Sequence, residues 1–380
     1  MKDIKTAPEL SIILPCRNEE KALPFCLSTI KEVIKKNNLN AEVIVSDSSI
    51  DSSPEIAKKN GVILVKHNKE GYGRAYIEAF KVAKGKYIIM ADADGTYDFK
   101  EIPKFLNELK KGADLVIGNR FAGKMQKEAM PWSHKYLGNP VLSAILRLFF
   151  KAKVKDVHCG MRAITRGALD KLNLKTTGME FASEMIMKAV KKEMKIKEIP
   201  INYNKRQGKS KLKAFSDGWR HLRFMLLYSP LFLFFIPGVF LFLFGLVSMI
   251  LFYLGSIKIA GIQFFYHPMF LSTMLVITGY QLMIFALFSK SYAFNHLGEE
   301  DKTIEKICKY VTLEKASIIG IALAIIGTVI FFIILLKWIK NGFGALQEIK
   351  NSIIALTLII TGIQTIFSAF MLSILSIKEE

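Results

Sequence analysis

The sequence predicts an α/β domain built on a mostly parallel sheet, followed by an all-α domain of four transmembrane helices. Two observations support this fold class. Up to about Tyr228, short β-branched runs alternate with longer helical patterns and charged residues, which is typical of a parallel sheet covered by helices. Beyond Tyr228, long apolar stretches dominate. A chain of 380 residues is long enough for both units.

The N-terminal part contains five runs with the composition of strands and four helical patterns between them. We predict strands over residues 10–14, 42–45, 62–65, 87–90 and 114–117, and helices over residues 20–35, 54–60, 74–83 and 100–110. Because strands and helices alternate along the chain, the strands are expected to run mostly parallel.

Four apolar runs follow, and each reaches the roughly 20 residues that cross a hydrocarbon core. They lie near residues 231–254, 269–288, 316–336 and 353–375. We predict three parts: a domain over residues 1–214, a juxtamembrane helix over 215–229 and a membrane domain over 230–380. The juxtamembrane segment combines aromatic residues with Arg220 and Arg223, which is typical of an interfacial helix.

The basic composition limits the kinds of partner. The formal net charge is +20, and lysines and arginines are dense between Lys188 and Arg223. Because the membrane spans begin directly after this stretch, the charge favours an anionic membrane surface or a phosphorylated substrate over nucleic acid. The four cysteines have no CxxC spacing, so they indicate neither a zinc site nor a disulfide framework.

The orientation in the membrane follows from the N-terminus and from the loop lysines. Residues 1–10 are polar and do not resemble a signal peptide. The loop over residues 290–315 has five lysines, against one in 256–268 and three in 337–350. Since cytoplasmic loops retain positive charge, we predict a cell-membrane protein with the N-terminal domain and both termini in the cytoplasm.

Polar clusters follow the first four predicted strands, where the ligand site of an open parallel sheet is expected. They are Pro15, Arg17, Asn18 and Glu19 after the first strand, Asp47, Ser48, Ser49 and Asp51 after the second, Gly71, Gly73 and Arg74 after the third, and Asp92, Asp94 and Asp98 after the fourth. Each cluster alone also fits a turn or a helix cap. Their joint placement favours a binding site.

Asp92 and Asp94 form the most informative pair. Two carboxylates one residue apart at the end of an apolar strand can reach one divalent cation from the same side. Mg²⁺ binds to a few carboxylates, to water and to substrate phosphate rather than in a full protein cage. A nucleoside diphosphate is a suitable ligand to complete such a shell, although a capping role remains the alternative.

These motifs resemble those of the family-2, GT-A-fold glycosyltransferases, in particular dolichyl-phosphate mannose and glucose synthases and bacterial polyprenyl-phosphate glycosyltransferases. The resemblance covers about residues 10 to 215. The segments that carry it are residues 11–19 (SIILPCRNE), 45–51 (VSDSSID), 91–94 (ADAD), 118–120 (GNR) and 206–211 (RQGKSK).

The resemblance implies a Rossmann-like GT-A fold and an inverting transfer of a hexose from a GDP- or UDP-sugar to a polyprenyl (dolichyl) phosphate at the cytoplasmic membrane face. Asp92 and Asp94 would bind Mg²⁺ or Mn²⁺ and the sugar nucleotide, and would be catalytic together with Arg120 and Arg206. The nucleotide pocket would contain Pro15, Arg17, Glu19, Asp47 (at the base), Arg74 and Asp92. The acceptor phosphate would meet Arg120, Arg206, Lys209, Ser210 and Lys211.

Two departures leave the donor open. Ser46 stands where many relatives have an acidic residue, and Thr96 stands where mannose synthases often have glutamine. Two other functions remain alternatives: a processive polysaccharide synthase, whose usual QxxRW motif is absent from this sequence, and a non-catalytic membrane protein that has kept a transferase-like domain. The sequence leaves the oligomeric state open, a homo-oligomer included.

A further amphipathic segment has two interpretations. Residues 141–150, with Trp132 and Tyr136 upstream, fit either a helix that rests on the bilayer or one that packs into the domain core. His134, His158 and Cys159 favour packed or surface roles over a metal site, because no carboxylate or second histidine has suitable spacing. Residues 179–187 favour a core or acceptor groove, in which Glu180 and Glu184 are candidate carboxylates.

Overall fold

The computed structural model describes residues 7–208, 214–259, 261–296 and 312–377. Lys209, Ser210 and Lys211, which are predicted to bind the acceptor phosphate, lie outside these ranges. The chain divides into two compact units, Met1–Met225 and Leu226–Glu380. The predicted fold class, a mostly parallel α/β unit followed by four apolar helices, is confirmed.

The first unit contains a seven-stranded sheet in the order β3-β2-β1-β4-β6-β5-β7. All neighbouring strands are parallel except β6, which is antiparallel to β4 and β5. The strands are β1 (Leu10–Cys16), β2 (Ala41–Asp47), β3 (Ile63–Lys66), β4 (Tyr87–Met90), β5 (Leu115–Asn119), β6 (Arg162–Thr165) and β7 (Ile196–Pro200). The sequence patterns predict the first five of these strands and miss the last two.

Helices cover the sheet. They are α1 (Leu23–Lys36), α2 (Ser53–Lys59), α3 (Tyr72–Phe80), α4 (Ile102–Lys110), α5 (Asn139–Phe150), α6 (Arg166–Leu172) and α7 (Phe181–Lys191). In α1 the buried residues follow helical spacing: Leu23, Cys26, Leu27, Ile30 and Val33. Helix α1 begins at Leu23, three residues later than the predicted start at residue 20. Pro24 then occupies a position in the first turn that proline favours.

Strand β4 is central and fully buried, between β1 and β6. Ile88 and Ile89 are inaccessible to solvent, as are Ile12 and Ile13 of β1. Burying an aliphatic side chain of this size contributes about 1.5–3 kcal/mol. The packed strands therefore give a rigid base for the residues that follow β4.

Helix α8 (Ala214–Leu227) ends the first unit, and the division between the two units, after Met225, falls within it. Phe224 and Met225 are buried, whereas Trp219 is 53% exposed and Leu227 is 62% exposed. Arg220 and Arg223 are also exposed. The helix thus presents aromatic and basic residues on its surface, and its role at the membrane interface stays a prediction.

The second unit contains four helices long and apolar enough to cross a membrane. They are α9 (Ile236–Leu254), preceded by a π-helical turn at Leu231–Phe235, α10 (Pro268–His296), α11 (Leu313–Lys340) and α12 (Ile349–Leu375). A short hairpin, β8 (Ile257–Ile259) and β9 (Ile262–Phe264), joins α9 to α10 and is absent from the sequence prediction.

Small and polar residues bring these helices together. A side chain at Gly320 of α11 would meet the backbone of Gly362 of α12 at 2.7 Å, so the two helices approach at glycine. The hydroxyls of Tyr280 in α10 and Thr365 in α12 are hydrogen-bonded at 2.7 Å. Close approach and interhelical hydrogen bonds of this kind hold helices together in lipid.

Candidate active site

The two carboxylates of the Asp92/Asp94 pair follow β4 directly. Asp94 is 6% exposed, and both of its oxygens accept hydrogen bonds. Oδ1 accepts from the backbone amide of Thr96 at 3.0 Å and from its hydroxyl at 2.5 Å. Oδ2 accepts from the guanidinium of Arg206 at 3.0 Å. The Asp94 side chain is therefore fixed in one orientation.

Asp92 is partly buried and accepts a hydrogen bond from the Tyr72 hydroxyl. Burial, and next the negative charge of Asp94, raise the pKa of Asp92 to about 7, against the lowering effects of Arg206, Tyr72 and Arg120. Two carboxylates in so enclosed a place resist simultaneous ionisation. A cation at this position would relieve the repulsion.

Gly160, in the turn that precedes β6, lies against Asp92. A Cβ atom at this glycine would be 2.7 Å from Oδ2 of Asp92, 3.0 Å from the Tyr97 hydroxyl and 3.1 Å from the Tyr72 hydroxyl. The Gly160 amide donates to the Tyr97 hydroxyl at 2.7 Å. Only a residue without a side chain fits this contact, so Gly160 is a part of the site that the sequence interpretation missed.

Arg206 connects the ends of two strands. Its guanidinium also contacts a carboxylate oxygen of Glu19, in the loop after β1, at 2.5 Å. The backbone amide of Gln207 donates to the carbonyl of Asp94 at 2.9 Å. Nε of Arg206 is buried without a hydrogen-bond partner among the described residues. The predicted site residues Glu19, Asp94 and Arg206 are therefore brought together.

Arg120, at the end of β5, forms a buried bidentate ion pair with Asp156, with nitrogen–oxygen distances of 2.8 and 2.7 Å. Its guanidinium also lies 5.3 Å from the centre of the Tyr203 ring. Burial disfavours the charge, but Asp156 outweighs it and holds the pKa of Arg120 above its usual value. The structure thus gives Arg120 a carboxylate partner that the sequence interpretation did not include.

The remaining predicted nucleotide residues occupy the same edge of the sheet in different environments. Asp47 is fully buried, and its carboxylate accepts from the Ser49 hydroxyl at 2.6 Å. Arg17 is exposed and pairs with Glu70. Arg74 is partly exposed in the first turn of α3, and its backbone amide donates to the Thr177 carbonyl at 3.0 Å. Pro15 lies in β1 beside Ser46 of β2.

The donor set at Asp92 and Asp94 fits a hard divalent cation. Both residues offer carboxylate oxygens. A positive charge beside Asp92 would favour its ionised form, which burial and the charge of Asp94 disfavour. Within the described ranges, no group of three or more His, Cys, Asp or Glu residues forms a complete metal cage. Two carboxylates suit a cation that keeps water and diphosphate as its other ligands, as Mg²⁺ does.

A buried histidine cluster lies on the segment that carries Gly160. Nδ1 of His221 in α8 is 2.9 Å from the Ser183 hydroxyl of α7, and the rings of His158 and His221 are 4.4 Å apart. Burial lowers the pKa of His221 to about 4, and the charge of Arg162 adds to this effect against that of Asp217. Burial also lowers the pKa of His158, and the neighbouring His221 adds to this effect, so both histidines are neutral near pH 7. The cluster joins α8 to α7, and among the residues that the structure describes it forms no group of three potential metal ligands.

Comparison with known proteins places this chain in a family. Residues 11–172 match the sequence profile of Glycosyl transferase family 2, and residues 287–376 match the Glycosyltransferase family 2 C-terminal transmembrane region. The low-salt glycan biosynthesis hexosyltransferase Agl6 of Haloferax volcanii is 38% identical over 97% of this chain and 90% of its own. The chain belongs to glycosyl transferase family 2. It is thus an enzyme, a glycosyltransferase, with a membrane-spanning C-terminal region.

Two further likenesses cover mainly the catalytic unit. The dolichyl-phosphate hexose transferase of Haloferax volcanii is 31% identical over 56% of this chain and 90% of its own. The crystal structure of mannosyl-3-phosphoglycerate synthase from Rubrobacter xylanophilus has 18% sequence identity and a TM-score of 0.48, with coverage of 58% of this chain and 73% of that chain.

Proposed function

We propose that this glycosyltransferase moves a hexose from a GDP- or UDP-sugar to a polyprenyl phosphate. Two observations outside the structure support the lipid acceptor. One relative is named a dolichyl-phosphate hexose transferase, and another is named for glycan biosynthesis. The C-terminal region also matches the Glycosyltransferase family 2 C-terminal transmembrane region, and a lipid acceptor would share the membrane with such an enzyme.

The contact between Arg206 and Asp94 is the structural observation that carries the proposal. Arg206 lies shortly before α8, the helix that leads into the membrane domain, yet its guanidinium binds both Asp94 and Glu19. A cationic side chain is thereby held where donor diphosphate and acceptor phosphate would meet. Arginine suits this position because its planar group can grip phosphate through two parallel hydrogen bonds.

The proposed reaction is a single displacement at the anomeric carbon. A phosphate oxygen of the acceptor forms the new bond, the bond to the nucleoside diphosphate breaks, and the configuration inverts. Asp92 and Asp94 would hold Mg²⁺ or Mn²⁺, and such a cation would supply positive charge for the departing diphosphate. Arg206 would add positive charge at the same place. No general base is needed, since a phosphate monoester is already anionic near neutral pH.

The test compares two acceptors on one enzyme preparation. The purified full chain, with Mg²⁺ or Mn²⁺, receives a panel of GDP- and UDP-hexoses together with polyprenyl phosphate or the matching free polyprenol. We expect a glycosylated lipid phosphate from one class of donor and no product from the free alcohol. Equal transfer to both acceptors, or an elongating polysaccharide, would restore the processive synthase as the better assignment.

We further propose that the catalytic unit and both chain ends are cytoplasmic. An even number of spans and the lysine-rich loop over residues 290–315 support this orientation. Asn341 and Ser376 directly follow the C-terminal ends of α11 and α12, and both positions are exposed. Because successive spans reverse direction, the proposed orientation puts cysteines introduced at these two positions on opposite sides of the membrane. A membrane-impermeant thiol reagent should label Asn341→Cys in intact cells and spare Ser376→Cys. The reverse pattern would refute the orientation.

A further inference from the structure

The buried carboxylate of Glu184, in α7, holds the loop over residues 175–178. Its oxygens accept hydrogen bonds from the backbone amide of Lys175, at 3.0 and 3.1 Å, and from that of Thr176, at 2.9 Å. The Thr176 hydroxyl donates to the same carboxylate at 2.6 Å. The ammonium group of Lys188, one helical turn further along α7, lies 2.7 Å from it. Because Glu184 is only 1% exposed, a buried charge fixes this loop to α7.

The hydrogen bonds keep Glu184 ionised. Burial by itself would raise the pKa of this carboxyl, but the bonds from Lys188, from the hydroxyl and amide of Thr176 and from the amide of Lys175 outweigh burial and hold the pKa below its usual value. Hydrogen bonds to an ionised group are about twice as strong as those between neutral groups. Glutamine has the shape of glutamate without its charge, so Glu184→Gln should loosen the loop without leaving a cavity.

The carbonyl groups of this loop cap the first turn of α3. The amide of Gly73 donates to the carbonyl of Gly178 at 3.2 Å, and the amide of Arg74 donates to the carbonyl of Thr177 at 3.0 Å. First-turn amides have no partner within their own helix. The residue before α3 is Gly71, which has no side chain to cap them. The loop therefore takes the place of a capping side chain and determines where α3 begins.

Two glycines allow the loop to lie this close to α3. A Cβ atom at Gly71 would overlap the carbonyl of Thr177, and one at Gly73 would overlap the carbonyl of Thr176. The Cβ atom at Gly73 would also lie 2.8 Å from that of Phe181, the first residue of α7. The first turns of α3 and α7 are thus packed together at the loop that Glu184 holds.

Tyr72 lies between these glycines and reaches the active site. Its hydroxyl donates to Asp92, and its ring packs edge-on against Phe181, with the ring centres 6.3 Å apart. Tyr72 is the first residue of α3. A shift of the start of this helix would therefore move the hydroxyl relative to Asp92.

We propose that Glu184 is a positioning residue of the active site. Through the loop over residues 175–178 and the first turn of α3, it places the Tyr72 hydroxyl against Asp92. This role rests on the proposed function, in which Asp92 binds a divalent cation. A hydrogen bond to a metal-binding carboxylate orients it, and loss of such a bond typically costs about 10–100-fold in metal affinity. Glu184 thus supports cation binding without contacting the cation.

A double-mutant cycle on Mn²⁺ affinity tests the proposal. Electron paramagnetic resonance measures free Mn²⁺ beside the full chain in detergent, in the absence of donor and acceptor. We expect Glu184→Gln and Tyr72→Phe each to weaken Mn²⁺ binding by about 10-fold or more. Glu184→Gln should add nothing in the Tyr72→Phe protein, because both changes remove the same hydrogen bond. Losses that multiply in the double variant would overturn the proposal, since independent sites are additive in free energy.

Glu42→Gln is the matched control for loss of a structural carboxylate. Glu42 accepts from the Ser11 hydroxyl and from the Lys84 amide, each at 2.6 Å. It lies near the start of β2, whereas Asp47 at the site ends that strand. Both glutamine variants should lower the thermal unfolding midpoint, and only Glu184→Gln should weaken Mn²⁺ binding. Equal losses of Mn²⁺ affinity in the two variants would overturn the proposal in favour of general destabilisation.

A fluorine probe at Tyr72 separates the role of Glu184 from the assignment of the cation. With 3-fluorotyrosine in place of Tyr72, the fluorine resonance reports the hydrogen bond to Asp92 in protein without metal. Glu184→Gln should move this resonance toward its position in the Asp92→Ala protein, and Glu42→Gln should leave it in place. A resonance that Glu184→Gln does not move would overturn the proposal. A moved resonance in a protein that binds no Mn²⁺ would support the positioning role and refute the cation site alone.

Discussion

The guanidinium of Arg206 donates to a carboxylate oxygen of Asp94 at 3.0 Å, although 112 residues separate them in the chain. The same guanidinium contacts Glu19 beyond β1. One cationic side chain therefore joins the ends of two neighbouring strands of the sheet to the segment that precedes α8. Its buried Nε, unpartnered among the described residues, still has a hydrogen to donate. Phosphate oxygens are suitable acceptors for such a group.

Replacing Arg206 should reduce sugar transfer sharply. A donor aimed at charge that develops in the transition state contributes about 10²–10³ in kcat, so we expect a loss of this order for Arg206→Ala. Arg206→Lys should also be impaired, because an ammonium group cannot make two parallel hydrogen bonds. Initial rates with saturating donor and polyprenyl phosphate measure both effects.

Lys205 supplies the matched control for Arg206. It is the preceding residue, is exposed and pairs with Glu128 at the surface. If Arg206 acts only through general attraction between the segment and anionic lipid, Lys205→Ala and Arg206→Ala should lower the rate by similar small amounts. A rate for Arg206→Ala close to that of Lys205→Ala would contradict a specific role.

Gly160→Ala should disable the site while the unit stays folded. The added methyl group would lie 2.7 Å from Oδ2 of Asp92, so the carboxylate must move. Because misplacement of a reacting group by about 1 Å can cost about 10²-fold in rate, we expect a loss of that order. Gly167→Ala in α6 is the control, since a Cβ there meets nothing within 4 Å. Equal rates for the two variants would show that the contact has no role.

Features of the site that are adjacent in the chain can be predicted from the local sequence. The apolar run over residues 87–90 predicts a strand, and Asp92 and Asp94 follow it, so the sequence alone places both carboxylates at the end of that strand. The β-branched runs likewise predict all five strands from β1 to β5. Strand β6 escapes prediction because it begins with the buried Arg162, a charged residue whose guanidinium donates to three backbone carbonyls.

The contacts between distant segments could not be predicted in this way. Nothing in the sequence near Arg120 indicates that Asp156 will meet it, because the pairing depends on how β5 and the turn before β6 pack. The role of Gly160 likewise depends on a distant residue. A Cβ atom at this position would lie 2.7 Å from Oδ2 of Asp92, and the sequence near Gly160 does not indicate this contact. The resemblance of the motifs to a family assigned Arg120 to phosphate, and the structure adds the carboxylate that must be considered in any such role.

Asp94→Asn should remove nearly all transfer without unfolding the catalytic unit. The amide keeps the shape of the side chain and an oxygen for Thr96, but it lacks the negative charge that a divalent cation requires. Addition of EDTA to the unaltered enzyme should have the same effect, and excess Mg²⁺ or Mn²⁺ should reverse it. Undiminished transfer in EDTA would exclude a cation held by this pair.

Binding of a divalent cation should weaken as the pH falls through about 7. The pKa of Asp92 is raised to about 7, so below this pH a proton occupies the carboxylate that the cation needs. For one displaced proton, the apparent affinity should fall about tenfold for each further pH unit and level off above pH 7. Calorimetric titration of Mn²⁺ at several pH values measures the slope. An affinity of the unaltered enzyme that does not change with pH would contradict the assignment.

Acidification should destabilise the catalytic unit through His221. Burial lowers the pKa of this histidine from 6.5 to about 4, so the unfolded chain takes up a proton at a higher pH than the folded one. The contribution to stability is therefore complete above about pH 6.5, declines as the pH falls and is lost below about pH 4. At about 1.4 kcal/mol for each pKa unit, the full loss is roughly 3 kcal/mol.

His221→Gln retains a partner for the Ser183 hydroxyl but cannot titrate, so its unfolding midpoint should depend less on pH across this window. Near-ultraviolet circular dichroism of the full chain in detergent follows the unfolding of the catalytic unit, and His134→Gln, at a partly exposed histidine, is the matched control. If His221→Gln and His134→Gln keep the same pH dependence as the unaltered protein, the buried cluster does not govern acid stability.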